Sequence, residues 1–464
     1  MAAAADLAEI DRRYSFHPFT ALADHERDGP SMVITGGKGS TLTDASGRDY
    51  IDAMAGLWCV NVGYGRTELA DAMRDQAAQL SYCHAFSSMS SDKPALLAEK
   101  LIGMAPVPMS KVFFGNSGSD ANDTQVKLVW YYNNARGKPG KKKIIARQRG
   151  YHGVTVMSGG MTGLPGLHAG FDLPLPFVKH VMAPRKLWEG HGLSDAEFVA
   201  KLVDDLEQTI AREGADTIGA MIAEPLMGAG GVLAPPPGYY PAIQAVLRRH
   251  DILLIADEVI CGFGRLGDMF GTTTMGMEPD LITVAKGLTS AYFPLSACIV
   301  SEKVWRVIAD EGSKAYGAFG HGYTYSSHPV GAAAALANLQ LIEEEQMLGK
   351  VRSTGAHLQA KLREAFADHP LVGEVRGQAL IGAVEFVKSK DGGPVGFDPA
   401  LKVAPRIVKG ALARGVIGRA LPNADSVAFS PPFIITEAEV EKAVGAFRDA
   451  ADEVLGELRR DGQF

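Results

Sequence analysis

Between residues 65 and 325 the chain repeats one pattern, a short apolar run followed by an amphipathic stretch. The runs Lys111–Phe114, Lys143–Ala146, Ile218–Ala223, Ile252–Ala256, Leu281–Val284 and Ala297–Val300 have the composition of strands buried on both faces. Helical spacing fills several gaps, as in Asp120–Asn134 and Tyr240–His250. This alternation predicts an α/β fold built on a doubly wound, largely parallel sheet. Upstream, His17-Pro18-Phe19-Thr20 opens an irregular arm. Short strands at Met32–Ile34 and Ser40–Asp52 are expected around Gly36-Gly37, with a second turn at Asp44–Gly47. Thr67 is placed as the cap of a helix carrying Leu69, Met73, Ala77 and Leu80 on its apolar side. After His328-Pro329 the rhythm changes. Long helices are expected at Gly331–Glu345 and Lys350–His369, and strands near Leu380–Phe386 and Ser426–Phe429. A last helix opens on a Thr436–Glu439 capping box. The division expected is 1–64, an N-terminal arm and part of a small domain; 65–325, the large domain; and 326–464, a smaller α+β domain.

Composition narrows the function classes. The chain has 464 residues, 46% hydrophobic and 21% charged, with a net charge of −7 that gives no reason to expect nucleic acid as a partner. Its one basic block, Lys141-Lys142-Lys143, reads as a solvated loop. Cys59, Cys83, Cys261 and Cys298 form no CxxC and have no histidine-rich companion, so neither a metal site nor a disulfide framework is expected, and a reducing cytoplasm is. Met1–Arg13 lacks the basic lead and apolar core of a secretory signal, and no apolar run of about eighteen residues predicts a membrane span.

Two apolar runs end in charge: Ile252–Ala256 in Asp257, and Leu281–Val284 in Ala285-Lys286. In open α/β sheets the ligand site lies outside the carboxyl ends of the strands, so both side chains fall at that edge. A desolvated lysine can form a covalent link to an aldehyde cofactor, and a carboxylate can hold a pyridine nitrogen protonated. A structural ion pair at strand ends explains the same two residues. Gly262-Phe-Gly264-Arg-Leu-Gly267 matches the dinucleotide fingerprint in letters, but the context fails: no convincing helix opens there, and the next strand ends in lysine rather than an acid. Gly115-Asn-Ser117-Gly118-Ser119, between a strand and a helix, suits a phosphate at a helix N-terminus; an ordinary turn with Ser119 as N-cap suits it too. Tyr151 follows another strand, either to stack on a flat ring or to pack in its loop.

In order along the chain, Ala55–Gly65, Asn116–Ser119, Tyr151-His152-Gly153, Glu224-Pro225, Asp257–Arg265, Ala285-Lys286-Gly287 and Gly322–Ser326 resemble the class III aminotransferases of pyridoxal-5′-phosphate (PLP) fold-type I. Gly56-Leu57-Trp58 and Gly228–Gly231 resemble most closely the bacterial ω-amino acid or amine:pyruvate transaminases of the (S)-amine type. The resemblance implies Lys286 as the covalent anchor and proton carrier, and Asp257 as partner of the ring nitrogen. Val259 and Tyr151 would pack on the two ring faces. Ser117, Gly118 and Ser119 would bind the phosphate, with Thr324 added from a neighbouring subunit. His152 and Glu224 would stand nearby, Glu224 supporting Asp257 and the ring-oxygen side of the cofactor. Phe19, Trp58, Phe86, Tyr151 and Ala229 would line the substrate pocket, although core packing explains each aromatic as well. Arg419, on what reads as a Gly/Pro-flanked loop, would pair with the substrate carboxylate; a solvated charge is the other reading. The implied activity is amino-group transfer from a primary amine or ω-amino acid to a 2-oxo acid such as pyruvate. It would run by a ping-pong route through pyridoxamine phosphate in a homodimer with shared sites, a tetramer also remaining open. An aminomutase, a decarboxylating aminotransferase and a non-catalytic PLP-fold binding protein remain as alternatives.

Overall fold

The computed structural model describes residues 4–422 and 425–464. Met1–Ala3, the start of the alanine run, and Asn423-Ala424 lie outside the described residues. Seven strands make the central sheet: β1 (Lys111–Gly115), β2 (Lys143–Arg147), β3 (Val178–Val181), β4 (Ile218–Ala223), β5 (Leu253–Asp257), β6 (Leu281–Val284) and β7 (Ser296–Val300), in the spatial order β1-β7-β6-β5-β4-β2-β3. Neighbours from β3 through β6 run parallel, and β7 runs antiparallel to both β6 and β1. Burial explains why the apolar runs became strands: every residue of β4 to β7 is buried. The edge strand β3 escaped prediction because Lys179 and His180 interrupt it, and both are only half-buried.

The helix predicted at Asp120–Asn134 spans Gly118–Ala135, and that at Tyr240–His250 spans Tyr239–Arg249. Outside the central sheet, Ile34–Lys38, Thr41–Asp44 and Asp49–Asp52 form a small antiparallel sheet, which Val416-Ile417 joins in parallel. Gly36 and Gly37 therefore lie inside a strand, and the chain turns at Gly39, whose φ is +62°. The turn at Asp44–Gly47 forms as expected, its carboxylate accepting from the Ser46 and Arg48 amides. Thr67 is the first helical residue rather than the cap; Arg66 holds that place without a side-chain bond, and Gln76 is buried where Ala77 was expected. Towards the C-terminus, helices Pro329–Glu344 and Met347–Phe366 precede a sheet of Val372–Gln378, Ile381–Phe386, Ser426–Phe429 and Arg419-Ala420. The last helix carries the predicted reciprocal Thr436–Glu439 box.

The basic block is not a solvated loop. Lys141 is buried, and its ammonium donates to the carbonyls of Ile218, His250 and Asp251 at 2.7–3.1 Å. Lys143 pairs with Glu213 at 3.0 Å. Carbonyls exposed where β4 begins and where helix Tyr239–Arg249 ends attract a cation, and a charge count along the sequence does not register them.

Candidate active site

The carboxyl ends of β2, β4, β5 and β6 meet along one edge, with the N-terminus of helix Gly118–Ala135 beside them. They surround a cavity of about 680 Å³. Asp257 ends β5, and Lys286 stands two residues beyond β6. Gly118, Ser119, Tyr151, His152, Glu224, Asp257, Val259 and Lys286 line it, as do Phe19, Trp58, Ala229 and Arg419. Three expected residues are not in its lining: Ser117, the cap of the helix that opens there, and Phe86 and Thr324, which lie apart from it in this chain. Phe86 is 49% exposed and lines a separate cavity with Phe319 and His321. Thr324 is held elsewhere by its carbonyl, which accepts from the Tyr82 hydroxyl at 2.7 Å.

Lys286 has a φ of +44°, in the left-handed region that only a firmly held backbone keeps. Asn338 holds it from helix Pro329–Glu344, its amide donating to the carbonyls of Gly287 and Leu288 at 2.9 and 3.0 Å. Desolvation pushes the Lys286 amine below the usual lysine range, although Asp257 and Glu224 pull it the other way. A depressed amine is the nucleophilic form.

Asp257 is buried, and each of its oxygens is used. Oδ2 accepts from Asn122 Nδ2 at 2.9 Å and lies 2.8 Å from His152 Nδ1; Oδ1 accepts from the Val259 amide at 3.1 Å. These partners hold the carboxylate in place. His152 therefore acts on Asp257 rather than on the cavity centre. Asn122 was missed from sequence. It sits one turn inside the helix that follows the small-residue loop, and its amide also donates to the His152 carbonyl at 2.7 Å. Glu224 does not touch Asp257: its two oxygens accept from the amides of Tyr151 (3.1 Å) and Gly228 (2.9 Å), tying two cavity-wall loops together. Burial raises its carboxyl above the usual range.

At the helix N-terminus the cap is Ser117, not Ser119. Its hydroxyl accepts from the Asp120 amide at 3.1 Å, and the Asp120 carboxylate accepts from the Asn116 and Ser117 amides. The Ser119 hydroxyl accepts from the Val154 amide at 3.1 Å. Gly118 and Ser119 are thus left as the first two helical residues facing the cavity, where unpaired amides and the helix dipole favour an anion. Gly118 also packs close to Val259: an added Cβ would come within 3.1 Å of it. The fingerprint-like glycines serve turns instead. Gly264 has φ +109°, and buried Arg265 donates to the Pro431 carbonyl at 2.6 Å and to Asn61 Oδ1 at 2.9 Å.

On the substrate side, Trp58 is 3% exposed, and its ring lies 5.0 Å from the Arg419 guanidinium and 5.6 Å from the Lys286 ammonium. Arg419 is not on a loop. It forms a two-residue strand paired with Ala428, which confines any movement to the side chain. Desolvation lowers its basicity, and no carboxylate pairs with it among the described residues.

A buried lysine, a fixed carboxylate and a free helix N-terminus at one sheet edge are the parts that a pyridine aldehyde with a phosphate tail requires, and the residues present fit that group. The fold is that of the fold-type I PLP transaminases. Residues 22–451 match the model of the family Aminotransferase class-III, and the chain belongs to that family of PLP-dependent transaminases. It is 54% identical over 462 residues to an uncharacterized aminotransferase of Sinorhizobium fredii, covering 99% of this chain and 98% of that one. It is 48% identical over 464 residues to the diaminobutyrate–2-oxoglutarate transaminase of Halomonas elongata, covering 98% of each. Among solved structures it resembles the omega transaminase from Pseudomonas jessenii in complex with PMP, with TM-score 0.94 and 47% identity over 98% of this chain and 99% of that one.

Proposed function

We propose that this aminotransferase moves an amino group from a primary amine or ω-amino acid to a small 2-oxo acid, pyruvate foremost. The observation that carries the reading is one cavity lined by Lys286 and Asp257 and by the apolar Trp58, Phe19 and Ala229, with Arg419 a guanidinium that no carboxylate pairs among the described residues. The wall suits the carbon skeleton of an amine, and the guanidinium suits the carboxylate of an oxo acid. When bound, PLP supplies the electron sink for charge developing at the substrate carbon. Lys286 Nζ would anchor the cofactor and carry the proton taken from that carbon. Asp257 would hold the ring nitrogen protonated, its carboxylate oriented by Asn122 and His152. Gly118 and Ser119 would hold the phosphate by their amides, Ser117 serving as helix cap beside them. Val259 and Tyr151 would fix the ring plane.

Thr324 and Phe86, away from this chain's cavity, fit a homodimer in which each copy completes the other's site. Four free cysteines, two of them buried, are in keeping with a reducing cytoplasm. Among the described residues no helix is long and apolar enough to cross a membrane.

The test is a donor screen with pyruvate, read as alanine formed, with borohydride reduction and peptide mapping alongside. Alanine without obligatory CO₂ release, a pyridoxyl label on Lys286 and complete loss of turnover in a folded Lys286→Ala are expected. Glutamate formed from 2-oxoglutarate with no alanine from pyruvate would overturn the acceptor. Isomerised product or stoichiometric CO₂ would point to an aminomutase or a decarboxylating enzyme. A label on another lysine would overturn the anchor, and a colourless protein that takes up no PLP would mean a non-catalytic relative.

A further inference from the structure

The N-terminal arm is a helix hairpin, Ala4–Tyr14 and Leu22–Asp28, whose connection carries His17, Pro18 and Phe19. Arg12 ties the two helices by donating to the Glu26 carbonyl at 2.8 Å. Between them three side chains converge. His17 Nε2 lies 2.8 and 3.0 Å from the two oxygens of Asp11, and His25 Nε2 lies 3.4 Å from Asp11 Oδ1. The two imidazole rings are 4.3 Å apart. His25 is only 8% exposed, and its Nε2, aimed at the carboxylate, makes no hydrogen bond. A buried ring nitrogen left without a hydrogen bond is costly, and an ion pair with His17 alone gives no reason for a second imidazole to face the same carboxylate.

We propose that Asp11, His17 and His25 form a binding site for a divalent transition ion of the zinc type. Two imidazole nitrogens and one carboxylate oxygen are a common donor set for such ions. The ligand atoms all lie within 4.8 Å of one another, and a tetrahedral ion with bonds of about 2.0–2.1 Å sets its ligands roughly 3.3–3.5 Å apart. Small side-chain shifts therefore seat the ion, with water as its fourth ligand. The consequence is positional. Pro18 and Phe19 line the large cavity, and Phe19 has φ +53° at 63% exposure, so little else holds it. An ion on His17 and His25 would clamp the connection at both ends and fix that part of the cavity rim.

The holoenzyme, stripped with chelator and dialysed against zinc, is assayed for bound metal by elemental analysis and calorimetry, and for its melting temperature with and without zinc. About one zinc per chain is expected, with a zinc-dependent rise in melting temperature. His25→Ala and Asp11→Asn should weaken binding at least roughly tenfold and abolish the rise, while both stay folded by circular dichroism. His17→Gln, at the more exposed ligand, serves as the second variant should His25→Ala fail to fold. No zinc bound above background, or zinc retained by the variants at wild-type affinity, would overturn the proposal.

Discussion

Replacing Asp257 by asparagine tests the electron-sink arrangement with least disturbance of shape. In the folded protein Oδ2 faces two groups, Asn122 Nδ2 and His152 Nδ1, and Oδ1 faces the Val259 amide. An asparagine keeps its oxygen towards Asn122 and His152, because the other orientation would set its own NH₂ against them. Its NH₂ then meets the Val259 N–H, donor against donor, at a cost of about 1–3 kcal/mol. The larger loss is the charge. Two unit charges about 4 Å apart at an effective dielectric constant near 20 interact by about 4 kcal/mol, which is three decades in rate. Single-turnover deamination of an amine donor, followed by cofactor absorbance in stopped flow, should therefore slow by roughly 1000-fold or more. The fold, checked by circular dichroism and melting, should weaken by only the about 1–3 kcal/mol of the donor–donor clash. A folded variant with near-normal single-turnover rates would refute the reasoning, since a carboxylate that can lose its charge without effect is structural.

Arg419→Ala should damage the alanine–pyruvate half-reaction by about 2–4 kcal/mol, some 30- to 1000-fold in specificity constant, and an uncharged aryl amine much less; equal losses in the two half-reactions, measured separately, would make Arg419 structural. Glu385 is 1% exposed between Arg185, Arg376 and Trp188; desolvation pushes its carboxyl up, but the two guanidinium groups outweigh that and hold it down at about 2. Its stabilising contribution is complete above the unfolded carboxyl range near 4.5 and is lost as pH falls from there through about 2; Glu385→Gln should cost about 3 kcal/mol in denaturant melts at pH 7 and flatten that acid limb, and an unchanged acid limb would refute the assignment.

The sheet could be read from sequence because its strands are buried on both faces and so leave uninterrupted apolar runs. The same property made Asp257 and Lys286 conspicuous, each a charge ending such a run. What failed was whatever depends on a partner distant in the chain. Asn122 is one amide in a helix of ordinary composition, and only the fold brings it to an aspartate 135 residues away. Lys141 reads as a surface charge until three carbonyls are seen around it. Arg419 looks like a loop residue because its strand is two residues long, and pairing with Ala428 supplies what local propensity does not. Glu224 was expected to support Asp257, but its contacts are to backbone amides that carry no sequence signal.

These misreadings share a physical cause that also explains how the site is built. A PLP site needs few reactive groups, but each must hold one position against desolvation, and the parts that hold them are polar groups on other elements. Asn338 pins the strained turn after Lys286, Glu224 pins the loops of Tyr151 and Gly228, and Arg149 donates to the Gly230 carbonyl at 2.8 Å beside Ala229. Each bond spans 50 residues or more, except the four-residue link from Glu224 to Gly228. Gly230 shows how tightly this is drawn: a Cβ there would stand 2.2 Å from the Arg149 carbonyl oxygen, so backbone meets backbone and nothing can give. The apolar wall around Ala229 is therefore backed by backbone packed too closely to admit a side chain at Gly230. The N-terminal segment at Phe19, exposed and packed from one side, is the part of the cavity rim least constrained by such bonds. Selectivity among amine donors should consequently divide between a fixed wall that sets size and an adjustable rim that sets access.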